Sequence, residues 1–372
     1  MRYHIQKERA MKKTLTLVLA VAVVFGAGFF MAGCQKKEAP AKKSAAAPAK
    51  AKLKVVLYVN GTLGDKSFFD SANRGLQRAV KELGVEGKTI EGGYDPAKWE
   101  PDLEQLAEGD WNIIIAGTWQ LVDALTKIAP QHPDKKFITY DTSVDYSKAK
   151  LGNVYSILYK QNEGSFLVGA LAAMVTESNM KYANKDKVIG FLGGMDIPVI
   201  NDFKVGYIQG AKYIDPDVKV LVSYAASFSD PAKGKELILA QYDQGADIAF
   251  NVAGETGLGL LDAAKASKRY AIGVDSDQYM LFKDTDPEKA SFIVTSMKKN
   301  VDYSLYRAIK LDLAGKLSWG KAEALGLKED GIAVADNENY EKLVPAKFRD
   351  RIKDIEKKIA GGEIKVNTAF GK

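Results

Sequence analysis

The stretch KVVLYVNGTLGDKSFF, residues 54–69, decides the fold. Residues 55–59 form a short apolar run with β-branched side chains, which is typical of a strand buried on both faces, as in a parallel sheet. Residues 60–64 supply turn chemistry, and Asp65 to Ser67 can cap a helix whose apolar residues follow at helical spacing. The stretch therefore predicts a strand, a turn and a helix, the first unit of an α/β fold.

Two aromatic residues, Phe68 and Phe69, stand at the mouth of that helix. A loop that leaves the carboxyl end of a parallel strand is where open α/β sheets bind ligands. We therefore expect Phe68 to cover a small planar ligand. The alternative, that both rings only pack the helix onto the sheet, stays open at this point.

The first 33 residues have the pattern of an export signal. Lys12 and Lys13 precede an almost unbroken apolar run, residues 14–32, and the only cysteine of the chain, Cys34, follows it. Such a run is typical of a secretory signal peptide, although its length also allows a membrane helix. The cysteine at its end favours a bacterial lipoprotein signal, in which Cys34 carries the lipid. Met11 followed by two lysines is an alternative start of translation.

Residues 34–52 predict a flexible tether, because they are rich in Lys, Ala and Pro and show no apolar periodicity. Much of the formal net charge of +6 lies in this tether and in the signal. The positive charge is therefore no argument for a nucleic-acid partner; it suits a stalk over anionic lipid or wall polymer. We expect a membrane-anchored protein of the bacterial cell envelope that faces the periplasm or the exterior.

From residue 54 onward, short apolar runs alternate with amphipathic helices. Repeated βα units predict doubly wound parallel sheets with right-handed crossovers and flanking helices. The predicted strands are residues 55–59, 113–116, 137–140, 154–158, 188–192, 218–222, 248–252, 271–274 and 292–295.

The length predicts two hinged lobes of this α/β class with a cleft between them. The first lobe comprises residues 53–160 plus about 298–327, and the second comprises residues 161–297 plus about 328–372. We expect hinges near residues 159–161 and 296–299.

Several candidate binding residues stand where predicted strands end, at the edge where doubly wound sheets bind ligands. They are Trp119, Asp141, Phe228, Gly254 and Asp275. Aromatic faces and carboxylates suit a planar ring that carries hydroxyl groups.

Four of these candidates, and also Lys299, have a structural interpretation. The two aspartates can be helix N-caps, Trp119 can be core packing, Gly254 can serve a turn, and Lys299 can be a solvated charge. Asp230, before Pro231, is the residue we expect to open a helix rather than to touch a ligand.

The sequence argues against an enzyme. It contains no nucleophile elbow, no phosphate-binding glycine loop with a lysine, and no His/Cys cluster with metal-ligand spacing. His132 lies in a loop and His4 precedes the alternative start. We therefore predict neither a catalytic residue nor a cofactor.

Several strings together resemble the basic membrane protein family of lipoproteins, the nucleoside-binding components of ABC importers, and within it the purine-nucleoside receptors of spirochaetes. The most specific is QNEGSFLVG at residues 161–169. The others are DKSF at 65–68, FSDP at 228–231, VAG at 252–254, GVD at 273–275 and TSM at 295–297.

The resemblance implies a type I periplasmic-binding-protein fold with several crossovers. It also implies that Phe68 and Phe228 clamp a base, and that Asp275, Lys299 and the backbone at Gly254 hold the ribose. Asp141 matches a further pocket carboxylate. We expect Lys299 to neutralise Asp275.

Two positions depart from the family's pattern. Asn60 stands where the family usually has an aspartate, and Phe69 stands where it has an asparagine; both family residues read the base edge. The resemblance therefore predicts a retained ribose end and an altered base-reading end.

These inferences predict a lipid-anchored, monomeric solute-binding protein that carries a nucleoside to an ABC permease. One alternative is the same fold binding another small solute, such as a sugar or a signalling furanose, for uptake or sensing. Another is a surface adhesin lipoprotein with a vestigial pocket, which would show no affinity for small molecules.

Overall fold

A computed structural model describes residues 52–370 of the chain. The predicted signal peptide, Cys34 and nearly all of the tether lie outside the described residues. Within residues 52–370, no helix is both long and apolar enough to cross a membrane.

The first of two sheets has six strands within the described residues, all of them parallel, in the order β11-β5-β4-β3-β1-β2. Its strands are β1 (Lys54–Val59), β2 (Glu86–Glu91), β3 (Ile113–Ala116), β4 (Lys136–Tyr140), β5 (Val154–Tyr159) and β11 (Lys321–Leu325). The strand β1 lies inside the sheet and is buried along almost its whole length, as its apolar sequence predicts.

The second sheet also has six strands among residues 52–370, in the order β12-β10-β9-β8-β6-β7, and only the short β12 is antiparallel to its neighbour. Its strands are β6 (Val188–Gly193), β7 (Lys219–Tyr224), β8 (Ile248–Val252), β9 (Tyr270–Val274), β10 (Ile293–Lys299) and β12 (Ile332–Val334). Every predicted strand is present, and the α/β prediction is confirmed. The strands β2, β11 and β12 were not predicted from the sequence.

Helices connect the strands and cover the sheets. They are α1 (Phe68–Leu83), α2 (Pro96–Glu108), α3 (Val122–Ile128), α4 (Gln161–Thr176), α5 (Pro198–Ile214), α6 (Pro231–Asp243), α7 (Leu258–Ser267), α8 (Gln278–Phe282), α9 (Pro287–Ala290), α10 (Val301–Leu313), α11 (Glu338–Leu343) and α12 (Ala346–Ala360).

The described chain passes between the sheets three times. It leaves the first sheet after β5, returns from β10 through α10 to β11, and crosses again between β11 and β12. The first two passages coincide with the hinge positions expected at residues 159–161 and 296–299. That these segments bend, and the exact lobe boundaries, stay predictions.

The close packing of α4 against α5 explains the glycine that ends the string QNEGSFLVG. A Cβ atom added at Gly169 would lie 2.1 Å from the carbonyl oxygen of Tyr207, and one at Gly210 would lie 1.9 Å from that of Phe166. The two helix backbones are therefore in direct contact, which only glycine permits at these positions. This close pair anchors the second sheet beside the first passage between the sheets.

Candidate functional site

A cavity of about 280 Å³ lies between the two sheets, at the carboxyl ends of their strands. Its volume is near the lower end of the range for small-molecule sites, roughly 300–1,000 Å³. The structure brings all nine residues predicted for ligand binding to this cavity. They are Asn60, Phe68, Phe69, Trp119, Asp141, Phe228, Gly254, Asp275 and Lys299.

Each sheet contributes one of the two predicted clamp rings. Phe68, the first residue of α1, lines the cavity and also packs on Tyr140, with ring centroids 5.3 Å apart. Phe68 thus packs on the first sheet and also lines the cavity, while its contact with a ligand stays a prediction. Phe228 follows β7 and lies against Gly194, where an added Cβ atom would come within 2.4 Å of the ring. The absence of a side chain at Gly194 thus leaves room for the ring of Phe228.

Phe69 and Gly254 also position the aromatic groups. The ring of Phe69 lies so close to Gly61 that a Cβ atom added at Gly61 would come within 2.4 Å of Phe69 Cε2. The same ring meets the ring of Phe68 edge-on, with centroids 5.4 Å apart. Gly254 has a left-handed φ of +56° and begins a short 3₁₀ turn beside Phe228. Gly254 thus serves a turn and lines the cavity at the same time.

Lys299 is the buried cation of the site, with 2% of its surface exposed. Its Nζ lies 2.6 Å from Asp141 Oδ1 and 4.6 Å from the ring centroid of Phe203. We expected Lys299 to neutralise Asp275. Its direct ion pair is instead with Asp141, although its charge also favours the ionised form of Asp275. The interpretation of Lys299 as a solvated charge is wrong.

Asp275 receives a hydrogen bond from across the cavity. Ser67 Oγ, just before α1, donates to Asp275 Oδ2 at 2.6 Å. Burial raises the pKa of Asp275 to about 6, while the charge of Lys299 and the bond from Ser67 act in the opposite direction. Among residues 52–370, the carboxylate thus has one neutral donor, Ser67 Oγ, and a cation nearby, Lys299.

Neither of the two aspartates predicted for the site, Asp141 and Asp275, is a helix N-cap. Asp141 and Asp275 have left-handed φ values of +63° and +60° and point from strand ends. The helix after β9 is capped by Asp277 instead, and β4 is followed by β5 without an intervening helix in the described chain. The N-cap interpretation is therefore wrong for both residues. Burial also raises the pKa of Asp141, against the effect of Lys299.

The start of α1 is capped by Asp65. Its carboxylate accepts hydrogen bonds from the backbone N–H groups of Ser67, Phe69 and Asp70, at 3.0, 2.8 and 3.1 Å. Ser67 is thereby free to reach Asp275. Asp65 also lines the cavity, a position that was not predicted from the sequence. Burial raises the pKa of its carboxyl.

Asn60 is 3% exposed, and its amide is held on one side only. Asn60 Nδ2 donates to Thr118 Oγ1 and to Gln120 Oε1, each at 3.0 Å. Among residues 52–370, no group donates to Asn60 Oδ1, which is also buried. The cavity-lining residues Thr118 and Gln120 were missed because they flank Trp119 in an otherwise ordinary loop.

The outer part of the cavity is aromatic and apolar. Trp119 and Tyr94 are 49% and 43% exposed, so the interpretation of Trp119 as core packing is wrong. Ile197 and Val199, at the start of α5, line the cavity from the second sheet. These contributions of Tyr94 and α5 had no local signal in the sequence.

Two other predicted features lie away from ligand chemistry. Asp230 caps α6, accepting a hydrogen bond from Lys233 N at 2.9 Å, as expected. His132 Nε2 lies 2.9 Å from Glu104 Oε1. In the described part of the chain, no group of three or more His, Cys, Asp or Glu side chains is placed to hold a metal ion.

Comparisons with known proteins agree with this geometry. The model of the Bmp family, described as "ABC transporter substrate-binding protein PnrA-like", matches residues 52–368. The CD4+ T-cell-stimulating antigen of Listeria monocytogenes is 30% identical over 95% of this chain and 99% of its own. The ABC transporter nucleoside-binding protein BmpA of Lactococcus lactis is 30% identical over 96% of this chain and 99% of its own.

A solved structure shows the same architecture. The crystal structure of an ABC transporter solute-binding protein from Aeropyrum pernix superimposes with a TM-score of 0.75 at 28% identity, covering 85% of this chain and 93% of that chain. The predicted type I periplasmic-binding-protein fold is thus confirmed, and so is the prediction of a binding protein rather than an enzyme. The chain belongs to the Bmp family of ABC transporter substrate-binding proteins.

Proposed function

We propose that this protein binds a nucleoside with a purine-like base in the cavity between its sheets and delivers it to an ABC permease, while a lipid on Cys34 holds it at the cell envelope. The predicted lobes close on the nucleoside, and the ligand leaves chemically unchanged.

One observation carries the proposal: a single cavity receives an aromatic ring from each sheet, Phe68 and Phe228, together with the buried group Asp275, Lys299 and Asp141. A base stacked on an aromatic ring gains roughly 1–3 kcal/mol. Hydrogen bonds to a charged group contribute about 1.5–3 kcal/mol, and the ribose hydroxyls supply donors for a carboxylate. The cavity therefore suits a ligand with both a flat ring and a diol.

Two further facts support the ligand class and the delivery step. A relative 30% identical over nearly the whole chain is named as a nucleoside-binding protein. The family model describes substrate-binding proteins of ABC transporters, which present a ligand to a membrane permease. The lipid anchor rests on the apolar run of residues 14–32 and the cysteine that follows it.

The test is the identity of the ligand. The full chain is purified in detergent, and small molecules that co-purify with it are identified by mass spectrometry. Affinities are then measured by calorimetry for inosine, guanosine, adenosine, cytidine, uridine, ribose and common hexoses. We expect purine nucleosides to bind and free ribose to bind at least a hundredfold more weakly. Tight binding of a sugar without binding of any nucleoside would favour the sugar alternative, and no binding at all would favour the adhesin.

A further inference from the structure

We propose that the turn before α1 and the loop after β9 form a latch, a set of hydrogen bonds across the cleft that stabilises the closed form and raises the affinity for each ligand by the same factor. Its members are Lys66, Ser67, Arg74, Ser276 and Gln278. The inference rests on the proposed function, because it concerns the closing of the lobes on a nucleoside. It assigns a positioning role to Arg74 and Ser276, which lie outside the cavity lining.

The hydroxyl of Ser276 is the centre of this latch. Ser276 follows β9 of the second sheet and is 4% exposed, and its Oγ accepts a hydrogen bond from Arg74 Nη2 at 2.7 Å. The same hydroxyl donates to the Ser67 carbonyl oxygen at 3.0 Å. A guanidinium can only donate and a carbonyl can only accept, so the direction of this chain of hydrogen bonds is fixed. Because its first donor is charged, the chain is stronger than one between neutral groups.

A second hydrogen bond across the cleft joins Gln278 to Lys66. Gln278 is fully buried; its Oε1 accepts from the backbone N–H of Val274 at 3.2 Å, and its Nε2 donates to the Lys66 carbonyl oxygen at 3.2 Å. Lys66 has a left-handed φ of +52°, a conformation that persists in a lysine only where its surroundings hold it. The Lys66 N–H donates to Asp70 Oδ2 at 3.0 Å. The strained turn is therefore held by α1 on one side and by Gln278 on the other.

Arg74 belongs to the side of the first sheet. It lies on α1, which follows β1, and its Nε is 3.8 Å from Asp302 Oδ2 on α10, the helix that leads to β11. When the lobes separate, Asp302 stays beside Arg74 while Ser276 moves away with β9, so the bond to Ser276 exists only in the closed form. A bond of this kind raises the closing equilibrium constant. The affinity of every ligand that binds the closed form then rises by the same factor.

Two substitutions outside the cavity lining test the latch in the full chain in detergent. Arg74→Met removes the charged donor and keeps the length of the side chain, and Ser276→Ala removes the link to Ser67. Each should weaken inosine and its free base, hypoxanthine, by the same factor of about tenfold in calorimetry. The double variant should bind about as Ser276→Ala does, because both changes break one chain of hydrogen bonds. Stopped-flow tryptophan fluorescence, with Trp119 in the cavity lining, should show faster dissociation of inosine and unchanged association.

The Arg78→Met variant is the matched control and should bind both ligands as the wild type does. Arg78 lies one turn further along α1, its side chain is 49% exposed against 41% for Arg74, and its ion pair is with Glu82 of the same helix. Wild-type affinity in Arg74→Met or in Ser276→Ala would overturn the latch while nucleoside binding stands. A loss for inosine without an equal loss for hypoxanthine would overturn it too. If the wild type binds neither ligand, the proposed function itself fails, and this inference with it.

Discussion

Lys299 Nζ lies 2.6 Å from Asp141 Oδ1, and this ion pair joins the last residue of β10 in the second sheet to the residue after β4 in the first. Both side chains are largely buried, with 3% and 13% exposed. Water therefore screens the pair little, and each charge depends on the other. The pair is a direct polar link between the two sheets beside the cavity.

Removing one member of this pair should destabilise the ligand-free protein strongly. Lys299→Met or Asp141→Asn leaves a buried charge without its partner, which typically costs about 3–5 kcal/mol. The double variant should lose much less than the sum of the two. Chemical unfolding measures all three. The control is the Lys54–Asp110 pair, also 2.6 Å long but exposed, where each substitution should cost less than about 1 kcal/mol. Equal losses at both pairs would contradict the argument.

The aromatic clamp should be visible in the affinity for nucleosides. Phe68→Ala or Phe228→Ala removes a stacking surface worth roughly 1–3 kcal/mol, so each should weaken a nucleoside by one to two decades. Free ribose has no π-face and should be affected less. Calorimetry is the measurement, and Phe282→Ala, outside the cavity, is the control. Nucleoside binding at wild-type affinity in both variants would contradict the proposed aromatic clamp.

Asp275 should control the ribose end and its pH dependence. A protonated carboxyl accepts hydrogen bonds poorly, so the affinity for a nucleoside should fall as the pH drops through about 6, the pKa of Asp275. Asp275→Asn should bind ribosides weakly at every pH and leave the free base little changed. Calorimetry from pH 5 to pH 8 with a nucleoside and its base checks this. A wild-type affinity independent of pH would be inconsistent with it.

The same carboxyl should affect stability with a defined sign. The pKa of Asp275 is about 6 in the folded protein and ordinarily 3.8, so its contribution is full below pH 3.8 and is lost as the pH rises through 6. This difference corresponds to about 3 kcal/mol. Asp275→Asn should flatten that loss in unfolding experiments. Asp247, also with a pKa raised by burial to about 6 but outside the cavity, is the control: Asp247→Asn should change stability and leave nucleoside binding unchanged.

Ligand binding should close the protein about the passages at residues 159–161 and 296–299. Small-angle scattering of the chain with a saturating nucleoside should show a smaller radius of gyration than without it. Superimposable curves in the two states would rule out a closing motion. The control is the Asp275→Asn variant with free ribose, whose scattering curve should match that of the ligand-free wild type.

Cys34 should be the site of lipid attachment. Cells given a clickable fatty acid should label the wild-type chain, and Cys34→Ala should remove the label. Because Cys34 is the only cysteine in the chain, no other thiol can substitute for it. Equal labelling of the wild type and the Cys34→Ala variant would contradict the lipoprotein prediction.

Local sequence predicted most of the fold because buried parallel strands are continuous apolar runs. The strands that were missed depend on neighbours instead. The strand β2, with sequence EGKTIE, is mostly polar and, within the described chain, lies at the edge of the sheet beside β1. The strand β12 has three residues. Their strand conformation follows from the sheet beside them rather than from their own composition.

The site residues divide in the same way, into those that local sequence predicts and those that depend on contacts with distant residues. Residues placed directly after strands, such as Asp141 and Asp275, could be found from spacing. The pairing of Lys299 with Asp141 joins residues 158 positions apart and could not be found this way. The hydrogen bonds of the Asn60 amide with Thr118 and Gln120 likewise depend on three-dimensional contacts.

The late position of β11 in the chain has a consequence for biosynthesis. The first sheet takes its edge strand β11 from residues 321–325, after all the parallel strands of the second sheet. While the chain grows from its N-terminus, β5 presents an unpaired edge until those residues emerge, and unpaired edges invite association with other chains. A chaperone or an export machinery that delays folding until synthesis is complete would protect this edge, and a chain truncated before residue 321 should aggregate.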